Sequence, residues 1–140
     1  MFSQRRAGGI RSVRFLLDTH VWLWLQVSPH RVPPDLLGQL TLADAVYLSA
    51  ASTWEIAIKH RLGKLPLPEP PASYVPERMT RSGTEPLRVE IHHTLAAGQL
   101  PVHHRDPFDR LLVAQSRILS LPLVTADERL GAYDVDLRWE

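Results

Sequence analysis

The chain of 140 residues contains no cysteine. That absence excludes disulfides, thiolate metal sites and thiol nucleophiles together, and it fits a cytoplasmic protein. No apolar run approaches the ~20 residues of a membrane span, so no membrane segment is expected. Neither sign of charge is in excess: 16 Lys and Arg stand against 15 Asp and Glu, a net charge of +1. Four of the bases, Arg5, Arg6, Arg11 and Arg14, fall in the first 14 positions, which hold no acid. The remainder therefore carries 12 basic against 15 acidic residues. A globally basic nucleic-acid binder is excluded, and any nucleic-acid contact has to be local.

Several motifs are missing as well. Gly63-Lys64-Leu65 lacks the upstream glycine and the following hydroxyl of a P-loop. An aspartyl-nucleophile phosphatase would want a second Asp two places after Asp18, where this chain has His20. His92-His93 and His103-His104 could offer imidazoles to Zn²⁺, but no His-x-x-x-His pair or other spaced zinc pattern occurs. There is no internal repeat and no low-complexity block.

What remains is an ordinary globular composition, 44% hydrophobic and 22% charged, in a length suited to one domain. Residues 1–12, Arg-rich and Gly-containing, read as a basic, disordered tail, and residues 13–140 as the folded domain. Val13 to Leu17 is a short apolar strand, and Thr19 to Val27 reads as the helix behind it. Asp35 to Leu42 is a short helix and Ala45 to Leu48 the second strand. Ser49 caps a helix from Ala50 to Leu62 that Gly63 ends. A proline-rich connection leads to a helix near Ala72 to Arg81. Leu87 to Ile91 is a third strand, followed by a short helix from His93 to Gly98. Pro107 opens a helix to Leu119. Leu121 to Thr125 is strand four, Asp127 opens a short helix, and a last strand lies near Asp136 to Trp139. Strands alternating with helices predict an α/β fold with a mainly parallel sheet covered on both faces.

The chemistry lies in the acids. Asp18 and Asp127 each follow a strand and precede a helix, and taken singly each is explained by helix capping. Glu55 has Ala51, Ile58, Lys59 and Leu62 as its neighbours at helical spacing, which puts a carboxylate beside an apolar stripe. Such a group costs free energy unless it is paired or binds metal, and a Glu55–Lys59 pair is the plain alternative. Asp106 is a natural cap for the helix that Pro107 opens, and the helix dipole favours both it and Asp109 without a catalytic duty; if one of the pair is functional it is Asp109, since capping already accounts for Asp106. Each of these acids follows a strand or opens a helix on what should be one edge of the sheet. Carboxylates within 4 Å of one another repel by roughly 4 kcal/mol per pair at an effective dielectric of 20, so a cluster calls for protons or cations between them. Oxygen ligands without Cys suit Mg²⁺ or Mn²⁺, and such a site points to phosphate-ester hydrolysis. Lys59, Arg61, Lys64, His103, His104 and Arg105 are candidate phosphate contacts, with solvated surface as the plain reading.

With these residues in place, the chain resembles the PIN-domain family, in particular its VapC-like toxin ribonucleases. The resemblance rests on Leu-Leu-Asp18-Thr-His-Val-Trp-Leu-Trp, Ser-Ala-Ala-Ser-Thr-Trp-Glu55-Ile-Ala-Ile-Lys and Leu-Gly-Lys-Leu-Pro-Leu-Pro. It continues in Leu-Pro-Val-His-His-Arg-Asp106-Pro-Phe-Asp109-Arg-Leu-Leu-Val-Ala-Gln and Leu-Val-Thr-Ala-Asp127. The resemblance implies a three-layer α/β/α sandwich and an RNA-cleaving Mg²⁺ or Mn²⁺ site. Carried over by position, Asp18, Glu55, Asp109 and Asp127 match the family's acids, with Asp106 and Thr125 as auxiliaries. Lys59, His104, Arg105 and Arg110 stand as RNA-phosphate contacts around them. The family further implies a VapB-like antitoxin partner and homodimerisation. The tail before Val13 departs from the family, whose members commonly begin almost at the first strand. Two other readings compete: a DNA-directed acidic nuclease, and a non-catalytic binding module whose acids dock a basic segment beside a groove built by Trp22 and Trp24.

Overall fold

A computed structural model describes residues 12–140. The expectation of a disordered tail therefore lies outside the described residues, Ser12 apart. Five strands form one sheet: β1 (Arg14–Leu17), β2 (Ala45–Ser49), β3 (Glu85–Leu87), β4 (Leu123–Val124) and β5 (Leu137–Arg138). Their order is β3-β2-β1-β4-β5, and every pairing is parallel. Six helices accompany them: α1 (Thr19–Val27), α2 (Pro34–Leu42), α3 (Ala50–Arg61), α4 (Pro71–Ser82), α5 (Ile91–Gln99) and α6 (Pro107–Leu119).

Alternation along the strands divides the core in two. Phe15, Leu17, Val46, Leu48 and Val124 face one way, onto Val21, Trp22, Leu25, Leu36, Leu40, Ile56 and Val75 of α1 to α4. Leu16 and Leu123 face the other way, onto Ala97 of α5 and Leu112 and Val113 of α6. Successive strand residues point to opposite faces, so runs such as Phe15-Leu16-Leu17 that are apolar throughout need helices on both sides. The three layers follow from that requirement. The strand order also fixes where a site can form. The chain moves outward from β1 through β2 to β3, then returns to β4 on the other side of β1. The crevice of an open α/β sheet lies at such a reversal, beyond the carboxyl ends of the two strands that flank it.

Two expectations need correction. Strand three is Glu85–Leu87 rather than Leu87 to Ile91. Val89 and Ile91 have strand-like side chains, but Ile91 opens α5 and is largely exposed. β3 is an edge strand and accommodates Pro86, because the missing proline N–H breaks no interior ladder there. The second concerns Trp22, which is fully buried and donates from Nε1 to Thr84 Oγ1 at 3.0 Å. It is core and lines no groove, whereas Trp24 does reach the surface cleft described below.

Candidate active site

Asp18 is the residue immediately after β1 and occupies the N-cap position of α1. Its side chain makes no cap hydrogen bond among the described residues. Instead Oδ2 accepts the Thr125 hydroxyl at 2.7 Å, and Thr125 Oγ1 in turn accepts the peptide N–H of Asp127 at 3.0 Å. The peptide N–H of Asp18 donates to Val124 O at 2.9 Å, which fixes its backbone against the end of β4. The carboxylate is 7% exposed and is tied to the end of β4 through Thr125.

Glu55 enters from the second turn of α3, whose N-terminus Ser49 caps by accepting from the Ala51 N–H. Its exposure is 2%, and both of its oxygens are occupied. Oε1 accepts the Thr19 hydroxyl at 2.6 Å, and Oε2 pairs with Lys59 Nζ at 2.6 Å. The pairing anticipated along α3 is therefore real, and it draws Lys59 toward the acids. The buried face of α3 is Ala51, Ser52, Glu55 and Ile56, while Leu62 is exposed. Glu55 thus lies within the buried face rather than beside a stripe that includes Leu62.

The N-terminus of α6 supplies the next acids. Asp106 Oδ1 accepts from the N–H groups of Phe108 and Asp109 at 2.8 and 3.3 Å, which is the capping role expected of it. Asp109, in the first turn, is left free to project inward. Asp127 caps a short 3-10 turn, Glu128–Ala132, and is gripped bidentately by Arg129 at 2.9 and 2.8 Å. Asp18, Glu55, Asp106, Asp109 and Asp127, with His20, Trp24, His104 and Arg129, line one cleft of about 360 Å³. A larger cavity of about 590 Å³ between α3 and α4 is lined by apolar side chains such as Ala57, Val75, Pro76 and Met79 and holds none of these acids.

The electrostatics record the crowding. Burial, and then the charges of Asp18, Asp106, Glu55 and Asp127, push the Asp109 carboxyl up to about 8. Asp18 is also raised, by burial first, against the lowering influence of its Thr125 hydrogen bond and of His20. Asp127 is held down to about 2 by its hydrogen bond with Arg129. Lys59 loses basicity to burial but gains more from Glu55, and its ammonium is raised on balance. The cluster has more negative charge than its own bases neutralise, and Asp109 holds a proton at neutral pH unless a cation replaces it.

Among the expected phosphate contacts, two stand differently from the reading above. Arg110 faces away from the cleft: Nη2 donates to Ala97 O and Leu100 O at 3.1 and 2.9 Å, closing the C-terminal end of α5 onto α6. Two carbonyls at the end of α5 occupy Nη2, while Nε is buried without a hydrogen-bond partner among the described residues. His104 belongs to the cluster itself, with Nε2 3.4 Å from Asp109 and 3.5 Å from Asp127. Arg105 is exposed beside it. Sequence reasoning missed Gln115, fully buried on α6, which accepts from Ser49 Oγ at 2.7 Å and donates to Arg88 O at 3.0 Å. An amide directly after the apolar run Leu111-Leu112-Val113-Ala114 was the available signal. It also missed the Arg129 clamp on Asp127, two residues away in sequence.

The donor set suits a hard divalent cation. Carboxylate oxygens converge on the cleft, Cys is absent, and a raised Asp109 carboxyl marks charge that a cation would relieve. Ligand atoms of His104, Asp109 and Asp127 all lie within 4.8 Å of one another, the dimension of a single-ion site.

Comparison with known proteins agrees with this architecture. The family profile of the PIN domain matches residues 15–136. Ribonuclease VapC16 of Mycobacterium tuberculosis (strain ATCC 25618 / H37Rv) is 67% identical over 77 residues, which is 49% of this chain and 55% of that protein. The match thus spans about half the length of this curated relative. Among solved structures, VapBC2 from Rickettsia felis bound to a DNA fragment from its promoter has a TM-score of 0.70 at 15% identity, over 91% of this chain and all of that one. DNA-bound VapBC from Salmonella typhimurium has a TM-score of 0.66 at 18% identity, over 91% and 97% of the two chains. At these identities the likeness is one of fold, and no helix among the described residues is long and apolar enough to cross a membrane. With a three-layer sandwich, acids converging beyond β1 and β4, and a profile match over nearly the whole described chain, the protein belongs to the PIN-domain family.

Proposed function

We propose that this protein is a metal-dependent endoribonuclease, the toxin of a toxin–antitoxin pair, cleaving RNA phosphodiesters at the acidic cleft. One observation carries the reading: the Asp18 carboxylate, held by the Thr125 hydroxyl, lines the cleft beside four other acids. The VapC16 match and the VapBC likenesses support it. Asp18, Glu55 and Asp109 hold an essential Mg²⁺ or Mn²⁺, and Asp127 completes the pocket. A cation held there would supply a water of lowered pKa and charge to offset that on the phosphate. The chain's own residues do the rest. Thr125 and Thr19 fix the Asp18 and Glu55 carboxylates, Lys59 offsets charge on Glu55, and Asp106 keeps the start of α6 in place beneath Asp109. In this reading Lys59, paired with Glu55, and the exposed Arg105 beside His104 meet a backbone phosphate.

The VapBC names extend the proposal to a VapB-like antitoxin that covers the toxin. Homodimerisation and a cytoplasmic location are carried from the family resemblance. Incubation of the purified chain with single-stranded RNA and matched DNA, with Mg²⁺, Mn²⁺ or EDTA, tests the activity. RNA cleavage that needs the cation and is lost in Asp18→Asn is expected. Cleavage that persists in a folded Asp18→Asn variant, or a preference for DNA, defeats the reading.

A further inference from the structure

One hydrogen-bond donor in the cleft is unspent. The His104 side chain is 9% exposed, and its Nε2 has no hydrogen-bond partner among the described residues. It is aimed between Asp109 Oδ2 at 3.4 Å and Asp127 Oδ2 at 3.5 Å. Spacing alone would make this nitrogen a metal ligand alongside the two carboxylates. An imidazole ligand would favour Zn²⁺ and its neighbours over Mg²⁺.

The other face of the ring argues otherwise. Nδ1 accepts the peptide N–H of Asp106 at 3.1 Å, so it presents a lone pair and the ring's one hydrogen sits on Nε2. For Nε2 to ligate a cation that hydrogen would have to move to Nδ1, where it would face the Asp106 N–H as donor against donor. Nor can the Asp106 peptide turn aside cheaply, because the Asp106 side chain caps the helix that carries Asp109. The His104 backbone is fixed as well, its N–H donating to the hydroxyl of the buried Tyr133 at 3.0 Å.

We propose that His104 is a positioning residue barred from ligation. Its Nε2–H, which makes no hydrogen bond with either carboxylate in this structure, closes on Asp109 and Asp127 when the site is loaded and keeps the donor set all-oxygen, selecting Mg²⁺ or Mn²⁺ against Zn²⁺. The inference rests on the reading of these acids as cation ligands.

Long-range proton–nitrogen correlation spectra of the ¹⁵N-labelled full chain test it, with His104 assigned by the signal lost in His104→Gln. A protonated Nε2 and unprotonated Nδ1 are expected, unchanged by MgCl₂ and by one equivalent of ZnCl₂. A hydrogen on Nδ1, or loss of the Nε2 hydrogen when either cation is added, overturns the proposal. Calorimetry with MgCl₂ supplies the second arm. His104→Gln, which retains an amide donor at comparable reach, keeps Mg²⁺ affinity within about threefold, whereas His104→Ala loses about ten- to hundredfold. Equal losses in the two variants overturn the positioning role, and the spectra stand even if the alanine variant does not fold. Neither arm reads RNA cleavage, so a folded, Mg²⁺-binding protein that cleaves no RNA defeats the ribonuclease reading alone. Failure of the unsubstituted chain to bind Mg²⁺ defeats both.

Discussion

At the scale of single residues, the cleft is built by giving each carboxylate a different environment. Asp127 is ionised through its Arg129 clamp, Glu55 is paired with Lys59, and Asp109 is left with a proton at neutral pH. A cation must displace that proton, so Mg²⁺ affinity measured calorimetrically should rise by up to about tenfold per pH unit from 6 to 8 and level off above. Affinity that is flat across this range would contradict the raised Asp109 carboxyl. Removing a hydroxyl should also be felt. Thr125→Val keeps the shape but frees Asp18 Oδ2 and the Asp127 N–H, and should cost about ten- to hundredfold in Mg²⁺ affinity. That Glu55 packs among apolar neighbours, and that Asp106 rather than Asp109 caps α6, was legible from helical spacing and from Pro107. Arg110 was not, since nothing local says that its guanidinium meets carbonyls at the end of another helix.

At the scale of elements, α6 is the piece on which the site depends. Its N-terminus supplies Asp106 and Asp109, its middle buries Leu112 and Val113 against one face of the sheet, and Gln115 ties it to β2 through Ser49. Leu112→Ala should destabilise the fold by about 2–5 kcal/mol in denaturant unfolding, as buried leucine truncations do. Arg110→Ala should also lower stability, by about 1–3 kcal/mol for the buried carbonyls it leaves bare, while RNA affinity stays unchanged. A loss of RNA affinity without a loss of stability would return Arg110 to the cleft. The helices were legible from period and caps: Pro107, Ser49 and Gly63 mark ends that the structure keeps within a residue. Strand three was not, because Val89 and Ile91 look more like strand than Glu85-Pro86-Leu87, and only the edge position makes the proline acceptable.

At the scale of the whole molecule, stability and function oppose each other through the acids. The Asp109 carboxyl is raised from an ordinary 3.8 to about 8, so the folded protein keeps a proton that the unfolded chain releases. That contribution is fully present below about pH 4 and is lost as pH rises toward 8. Asp127 has the opposite sign: lowered to about 2, it stabilises above about pH 4, and its contribution is lost as pH falls toward 2. In EDTA the melting temperature should therefore fall between pH 5 and 8, and saturating Mg²⁺ should restore it most at pH 8. Asp109→Asn should flatten the decline. A melting temperature indifferent to pH in both proteins would mean that the acids do not repel as described.

The sequence by itself determined the layers and which acids meet in one cleft. Strand runs apolar on both faces demand helices above and below, and acids placed at strand ends and helix starts need only the parallel order to face one another. Tertiary structure alone decided how those acids are employed. Whether Asp18 caps or turns inward depends on a hydroxyl 107 residues away, Thr125, brought beside it by the pairing of β1 with β4. The direction of the His104 ring depends likewise on the peptide of Asp106 and the hydroxyl of Tyr133. Local spacing carries no information about such partners, because hydrogen bonds act over ~3 Å of space whatever the separation along the chain.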